Sequence, residues 1–188
     1  MIREDWPTHR HDSLFWDRLG RCVATFGFLE QVLGKAIFSF TITTEVNDAD
    51  LEAAYVAWVP KMKKALADPL GGLIGSYEAA VVKHQADNPL GFENLVANLW
   101  AASDVRNVIC HGSWGLPDQD GCSVPFFVSS KANKKDPFWN GAMDVTYLTQ
   151  LQRHTAELAA EVISTVTIQG WQFPGSPGPG RLIWKGNP

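Results

Sequence analysis

The 188-residue chain has few cysteines, little net charge and no long uninterrupted apolar run. Its three cysteines are an odd number without a Cys-x-x-Cys pair, which favours reduced thiols over a disulfide framework. A net charge of −4 argues against a broad electrostatic nucleic-acid binder, but it allows an enzyme that grips a few phosphates. The first residues lack the apolar centre of a signal peptide, so we expect a cytoplasmic protein without a membrane segment.

Several catalytic signatures are also missing from the sequence. It has no glycine-rich phosphate loop, no HExxH helix and no nucleophile elbow. Cys110, His111 and Cys122 follow no known zinc-ligand spacing and lack a fourth ligand. We therefore expect neither a metal nor a cofactor.

Apolar residues recur at steps of three and four along most of the chain, which is typical of amphipathic helices. The pattern predicts an all-α fold, an antiparallel bundle of four to five helices with a small β-hairpin insertion before the last one. The predicted helices cover about 13–40, 49–67, 73–86, 92–111 and 146–166. We expect a flexible N-terminal arm at 1–12, one domain at 13–170 and a Pro/Gly-rich tail at 171–188.

Three features of the predicted helices lead to further predictions. Asp12 or Ser13 can cap the first helix, and Pro60 should kink or split the second. Gly20, Gly27 and Gly34 form one stripe along the first helix. Each glycine lowers helix propensity by roughly 1 kcal/mol, so the stripe favours close packing of another backbone, from this chain or a second copy.

The insertion, at about 113–145, changes the pattern from helical to extended. Residues 113–116 and 122–130 should form the two strands of the hairpin around the turn 118–121, and residues 142–145 should add a third short strand. Its aromatic residues are expected to cover the helices, with base stacking or partner binding as alternatives; they are Trp114, Phe126, Phe127, Phe138 and Trp139. A lysine cluster, Lys131, Lys134 and Lys135, suits a solvated loop or contact with an RNA backbone.

The stretch 104–112 gathers the most reactive groups of the chain at the predicted end of the fourth helix. Asp104, Asn107 and His111 share one stripe, whereas Arg106 is about 140° from His111 around an ideal helix. We expect Gly112 to let the helix unwind at His111, so that the two head groups can meet. A cation that holds a phosphate and a group that exchanges protons near neutrality suit phosphodiester cleavage without a metal.

In this context the chain resembles the higher eukaryotes and prokaryotes nucleotide-binding (HEPN) superfamily. The resemblance lies in Arg106-Asn107 followed by His111 in a late helix, and in the opening helix with the segment 28–33. It implies a small helical protein that acts as a homodimer, with two such motifs facing each other across a cleft. Many members cleave RNA as toxins or in phage defence, and others are inactive binding modules.

Carried over to this chain, the resemblance implies that Arg106 orients the scissile phosphate, Asn107 holds the site by hydrogen bonds and His111 moves the proton. Glu30 and Asp104 are candidate supporting residues, with a structural or solvent-exposed role as the alternative for each. The implied partners are an RNA substrate, a second copy of the chain and an antitoxin or regulatory protein. The alternative function is a catalytically inactive module of the same fold that binds a protein or a nucleotide.

Overall fold

A computed structural model describes residues 9–43, 46–84, 91–129 and 138–176. The regular elements among these residues are five α-helices and a 3-10 turn at Asp48–Asp50, and no β-strand forms among them. The helices are α1 (Ser13–Ile42), α2 (Leu51–Ala67), α3 (Leu70–His84), α4 (Phe92–His111) and α5 (Val145–Thr167). The all-α class predicted from the apolar spacing is confirmed.

Two helix starts are fixed by aspartate caps. The Oδ1 atom of Asp12 accepts a hydrogen bond of 2.8 Å from the backbone N–H of Phe15, as expected for α1. Asp144 does the same for α5 through the N–H of Tyr147, at 2.6 Å. Each cap satisfies a backbone donor that has no partner within the helix.

At two predicted breaks the helices extend further than expected. The predicted split at Pro60 is wrong, because proline removes only its own backbone donor and α2 resumes beyond it as one helix. α3 starts at Leu70, three residues earlier than predicted, so Gly71 and Gly72 lie inside the helix. Side-chain packing overrides the weak local preference there, since Leu70 and Leu73 are both buried.

Helix α1 is also long and apolar enough, by length and composition alone, to cross a membrane. Half of its most apolar 18-residue stretch is buried inside the protein. A buried core helix passes the same test, so this is weak support for a membrane span. The described chain is compatible with a soluble protein.

The described residues divide into two compact units, with the divisions at 27/28, 101/102 and 156/157. Unit 1 contains the first half of α1, the end of α4, the insertion and the start of α5. Its core includes Phe15, Leu19, Cys22, Phe26, Val108, Ile109, Met143 and Leu148. The thiol of Cys22 donates to the carbonyl of Leu148 at 3.0 Å, and burial raises the pKa of this thiol to about 11.

At its last residues the predicted N-terminal arm packs against the protein instead of forming a loose segment. The His11 side chain is 8% exposed and stacks on Phe15 at 4.0 Å between ring centroids. Its Nε2 atom is 3.0 Å from the carbonyl oxygen of Gly115. Residues 1–8 of the predicted arm and 177–188 of the predicted tail lie outside the described residues.

The expected β-hairpin is not formed among the described residues. Three isolated antiparallel bridges replace it: Ser113 with Phe126, Ser123 with Met143, and Val128 with Phe138. Each bridge joins a different pair of segments, and Pro125 lacks a backbone donor, so no continuous ladder develops.

The predicted turn at 118–121 is formed, and its aspartate and glycine residues determine it. The Asp118 carboxylate accepts from the backbone N–H groups of Asp120 and Cys122, both at 2.9 Å. Gly121 adopts a φ of +78°, a conformation that favours glycine.

Unit 2 contains α2, α3, the second half of α1, the start of α4 and the end of α5 with the residues up to 176. Its core includes Leu29, Leu33, Phe40, Ile74, Tyr77, Leu99, Leu158 and Val162. Among the described residues, the glycine stripe meets no close backbone of another segment, and only Gly34 has a close neighbour, which is a side chain. A Cβ at Gly34 would lie 2.6 Å from a methyl group of Leu66, whereas Gly20 and Gly27 face open space.

Substitution of Tyr77 by Phe is expected to lower the free energy of unfolding by about 1 kcal/mol. The fully buried Tyr77 hydroxyl lies 2.8 Å from the Thr165 hydroxyl, which itself donates to the carbonyl of Val162 at 2.7 Å. Tyr77 is therefore the donor of this pair, and its loss leaves a buried acceptor unpaired. Urea denaturation measures the change; the exposed Tyr55→Phe is the control, and equal small effects in both variants would contradict the assignment.

Candidate functional site

The candidate site lies on the last two turns of α4, in unit 1. Val108 and Ile109 are buried, and they fix which side of the helix faces the core. Arg106 and Asn107 are half-buried, and His111 is exposed. All three predicted site residues are therefore outside the sealed core, where a substrate can reach them.

Arg106 and Asn107 contact each other directly. An Nη atom of the guanidinium donates to the Oδ1 atom of Asn107 at 3.4 Å. Neighbouring side chains diverge by about 100° on a helix, and only the length of arginine allows this contact. The predicted holding role of Asn107 stays a prediction.

His111 is the last residue of α4, but the helix does not unwind there. The backbone N–H of Gly112 donates to the carbonyl of Val108 at 2.7 Å, so helical hydrogen bonding extends one residue past His111. The expected unwinding is wrong. Arg106 and His111 therefore keep the angular separation of an intact helix, about 140°.

Position 112, where the chain leaves α4, has no room for a side chain. A Cβ atom at Gly112 would lie 2.5 Å from the carbonyl oxygen of Val108 and 3.0 Å from the Cβ of Pro125. Real Cβ atoms do not approach a carbonyl oxygen this closely. Glycine lets the chain leave α4 against Pro125 and continue directly into the insertion.

The insertion is joined to the end of α4 within two residues of His111. Ser113 and Phe126 exchange two backbone hydrogen bonds, of 2.9 and 2.8 Å. This pairing holds the backbone of Phe126 beside the chain that follows the candidate histidine.

The aromatic residues of the insertion differ in exposure. Trp114 is 7% exposed and covers the core as predicted. Phe126 and Phe138 are 66% and 55% exposed, with ring centroids 6.2 Å apart, so the covering role is wrong for these two. The lysine cluster at 131–135 lies outside the described residues.

The two candidate supporting residues, Asp104 and Glu30, belong to different units. Asp104 is half-buried and shares the stripe of Asn107 and His111 by helical spacing. Glu30 is half-buried on the part of α1 that belongs to unit 2. A positioning role for either residue stays a prediction.

The cysteines show no activated thiol. Partial burial raises the pKa of Cys122, and the carboxylates of Asp118, Asp144 and Asp120 raise it further. Cys110 is half-buried rather than fully buried as expected. Within the described ranges, no three His, Cys, Asp or Glu side chains are grouped closely enough to hold a metal ion.

Sequence reasoning missed a cavity of about 500 Å³ in unit 2. It lies among α1, α2 and α3, and its walls include five alanines: Ala54, Ala57, Ala65, Ala79 and Ala80. Small residues on facing helices were the signal, but alanine is also the best helix former, so the pattern alone does not point to a cavity.

The chain was compared with known proteins. No family model matches it, and neither a curated protein nor a solved structure shows significant similarity to it.

Substitution of Gly112 by Ala is expected to destabilise the protein by about 1–3 kcal/mol, because the added methyl group collides with the Val108 carbonyl. Chemical denaturation measures the loss, and the NMR resonances of the His111 ring should shift as the helix end moves. Gly115→Ala is the matched control, since a Cβ there meets nothing within 4 Å. Equal stability of the two variants would show that the helix end is not held by this contact.

Proposed function

We propose that this protein is a metal-independent endoribonuclease of the HEPN type, with its site formed at a homodimer cleft. The observation that carries the proposal is the accessible group at the end of α4, where Arg106 is held by Asn107 and His111 is exposed. A guanidinium that binds a phosphate and an imidazole that transfers protons are sufficient for cleavage by an internal nucleophile.

In the proposed reaction the 2′-oxygen of the ribose attacks the adjacent phosphorus, and the bond from phosphorus to the 5′-oxygen breaks. The products are a 2′,3′-cyclic phosphate and a free 5′-hydroxyl. Arg106 neutralises charge on the phosphate, and Asn107 orients Arg106. His111 in its protonated form gives a proton to the leaving 5′-oxygen, and a neutral imidazole accepts the proton of the 2′-hydroxyl.

A second copy of the chain supplies what one motif lacks. The intact helix keeps Arg106 and His111 about 140° apart, so the two groups of one motif diverge. The reaction also uses one acidic and one basic imidazole, whereas each motif offers one. Two motifs facing each other across a cleft provide both, and Asp104 and Glu30 are the candidate positioning residues around them.

The proposal extends to the biological setting. It includes action in the cytoplasm as a toxin or phage-defence effector, with an antitoxin or regulatory protein that restrains it. These roles rest on the resemblance of the Arg106-to-His111 segment to the superfamily motif.

Single-stranded RNA incubated with the purified protein in excess chelator is expected to be cleaved. Both Arg106→Ala and His111→Ala should reduce the rate by roughly 100-fold or more, since each removes a group that acts on the transition state. Arg153→Ala and His154→Ala are the matched controls, because both residues are exposed on α5 in the same unit. Gel analysis of the products measures the rate and tests for the cyclic phosphate.

Two outcomes would overturn this assignment. Cleavage that persists in His111→Ala would place the activity at another site or in a contaminant. A protein that sediments as a monomer at high concentration would lack the proposed cleft.

The exposed Phe126 and Phe138 rings offer a surface for unpaired bases next to the site. Alanine at either position is expected to weaken binding of single-stranded RNA by about 1–3 kcal/mol, which is roughly five- to hundredfold in KM, because one stacked base is lost. Leu116→Ala, at an exposed position of the same insertion, should leave KM unchanged. A fall in kcat without a change in KM would argue against base stacking.

A second candidate function is a catalytically inactive module of the same fold that binds a protein partner. The exposed apolar side chains of α2 favour it, since clustered apolar exposure marks interaction surfaces. They are Leu51, Tyr55, Val56 and Leu66. The chelator assay separates the two candidates, because this module would not cleave RNA.

A further inference from the structure

The cavity in unit 2 is a second place where this chain can bind a small molecule. Its volume of about 500 Å³ falls within the range of sites that enclose small ligands, roughly 300–1,000 Å³. The walls come from the second half of α1, one face of α2 and one face of α3. All three segments belong to unit 2, and the cavity is separate from the end of α4.

The cavity exists because small side chains line the facing helices. Ala54, Ala57 and Ala65 on α2 and Ala79 and Ala80 on α3 contribute only methyl groups to the wall, which leaves space between the larger side chains. The remaining apolar wall is formed by larger residues: Ile37, Phe40, Trp58 and Met62. An apolar ligand body therefore meets hydrophobic side chains over most of its surface.

Some polar groups of the cavity wall already have hydrogen-bond partners within the protein, and others are available to a ligand. The indole N–H of Trp58 donates to the Thr41 hydroxyl at 2.8 Å, and this hydroxyl donates to the carbonyl of Ile37 at 2.7 Å. These atoms are occupied. The charged residues that line the cavity, Lys61 and Lys83, are both positive and exposed, and no described lining residue is acidic.

His84 adds a fixed polar atom to this wall. Its ring packs edge-on against Trp171 at 4.9 Å and Phe40 at 5.9 Å between centroids. The Thr43 hydroxyl, 3.3 Å from Nε2, already donates to the carbonyl of Ser39, so Nε2–H is the donor to Thr43. The Nδ1 atom is buried and has no hydrogen-bond partner in the described part of the chain.

We propose that this cavity binds a small amphipathic carboxylate, with its apolar body among the alanines and its anionic head at Lys61 and Lys83. The charge at the mouth selects the sign of the head group, and the apolar wall selects the body. This assignment does not depend on the ribonuclease proposal, because none of the residues at the end of α4 takes part.

Calorimetric titration of the full-length protein with dodecanoate, below its micellar concentration, tests the assignment. We expect saturable binding of one carboxylate per chain, and no comparable binding of dodecyltrimethylammonium, which has the same body and the opposite charge. Lys61→Met and Lys83→Met keep the apolar stem but remove the charge, and each should weaken binding about fivefold. Lys63→Met, on the same helix but not in the cavity wall, should leave the affinity unchanged.

Two larger substitutions locate the ligand. Ala57→Phe and Ala79→Phe fill the cavity and should abolish binding, whereas Ala53→Phe, at an exposed position outside the wall, should not. Circular dichroism shows whether each variant is folded, and if the filled variants unfold, the lysine variants decide. Equal binding of the cationic amphiphile, unchanged affinity in both lysine variants, or unchanged binding in a folded Ala79→Phe would overturn the proposal.

Discussion

Gly112 lies so close to the carbonyl of Val108 and to Pro125 that no side chain fits at this position, and the candidate site lies at the helix end that this glycine closes. Helical hydrogen bonding reaches Gly112 and then stops, because the chain turns away against Pro125. As a result His111 is held in the last helical turn instead of on a flexible loop. The same exit sets the register of Ser113 against Phe126, so one glycine position determines both the placement of His111 and the start of the insertion.

The helices were largely predictable because their signals are local and repeat many times. α4 has the predicted limits, 92–111, and α1 begins beside the predicted cap at Asp12. The errors fall where one local signal competes with packing. Pro60 and the Gly71-Gly72 pair lower helix propensity by a few kcal/mol at most, and burial of neighbouring apolar residues outweighs them.

The insertion was the least predictable part of the fold. Alternating residues and a turn are typical of a hairpin, but the pairing partner of each strand is a long-range property that the pattern does not contain. Here the chain pairs with three different segments in succession, so bridges form without a ladder. The turn itself was predictable, since its aspartate side chain and its glycine determine it locally.

For the candidate site, the sequence predicted which residues take part but not how they are oriented. Spacing placed Asp104, Asn107 and His111 on one stripe, and the intact helix agrees. The position of Arg106 relative to His111 depended on whether the helix unwinds at His111, and in the structure the backbone stays helical there. The cavity of unit 2 was not predictable, because its walls are made by residues from three helices whose mutual packing the sequence pattern does not contain.

The burial of His11 has a practical consequence for how the protein is prepared. Its ring stacks on the start of α1 while its Nε2 atom contacts the carbonyl of Gly115, four residues after His111. An affinity tag fused close to His11 would disturb this contact, and a protease that removes His11 would eliminate it. Either change affects the peptide 112–115, which follows the candidate site. Tags are better placed at the opposite terminus, and samples of differing activity should first be compared by the mass of their amino-terminal peptide.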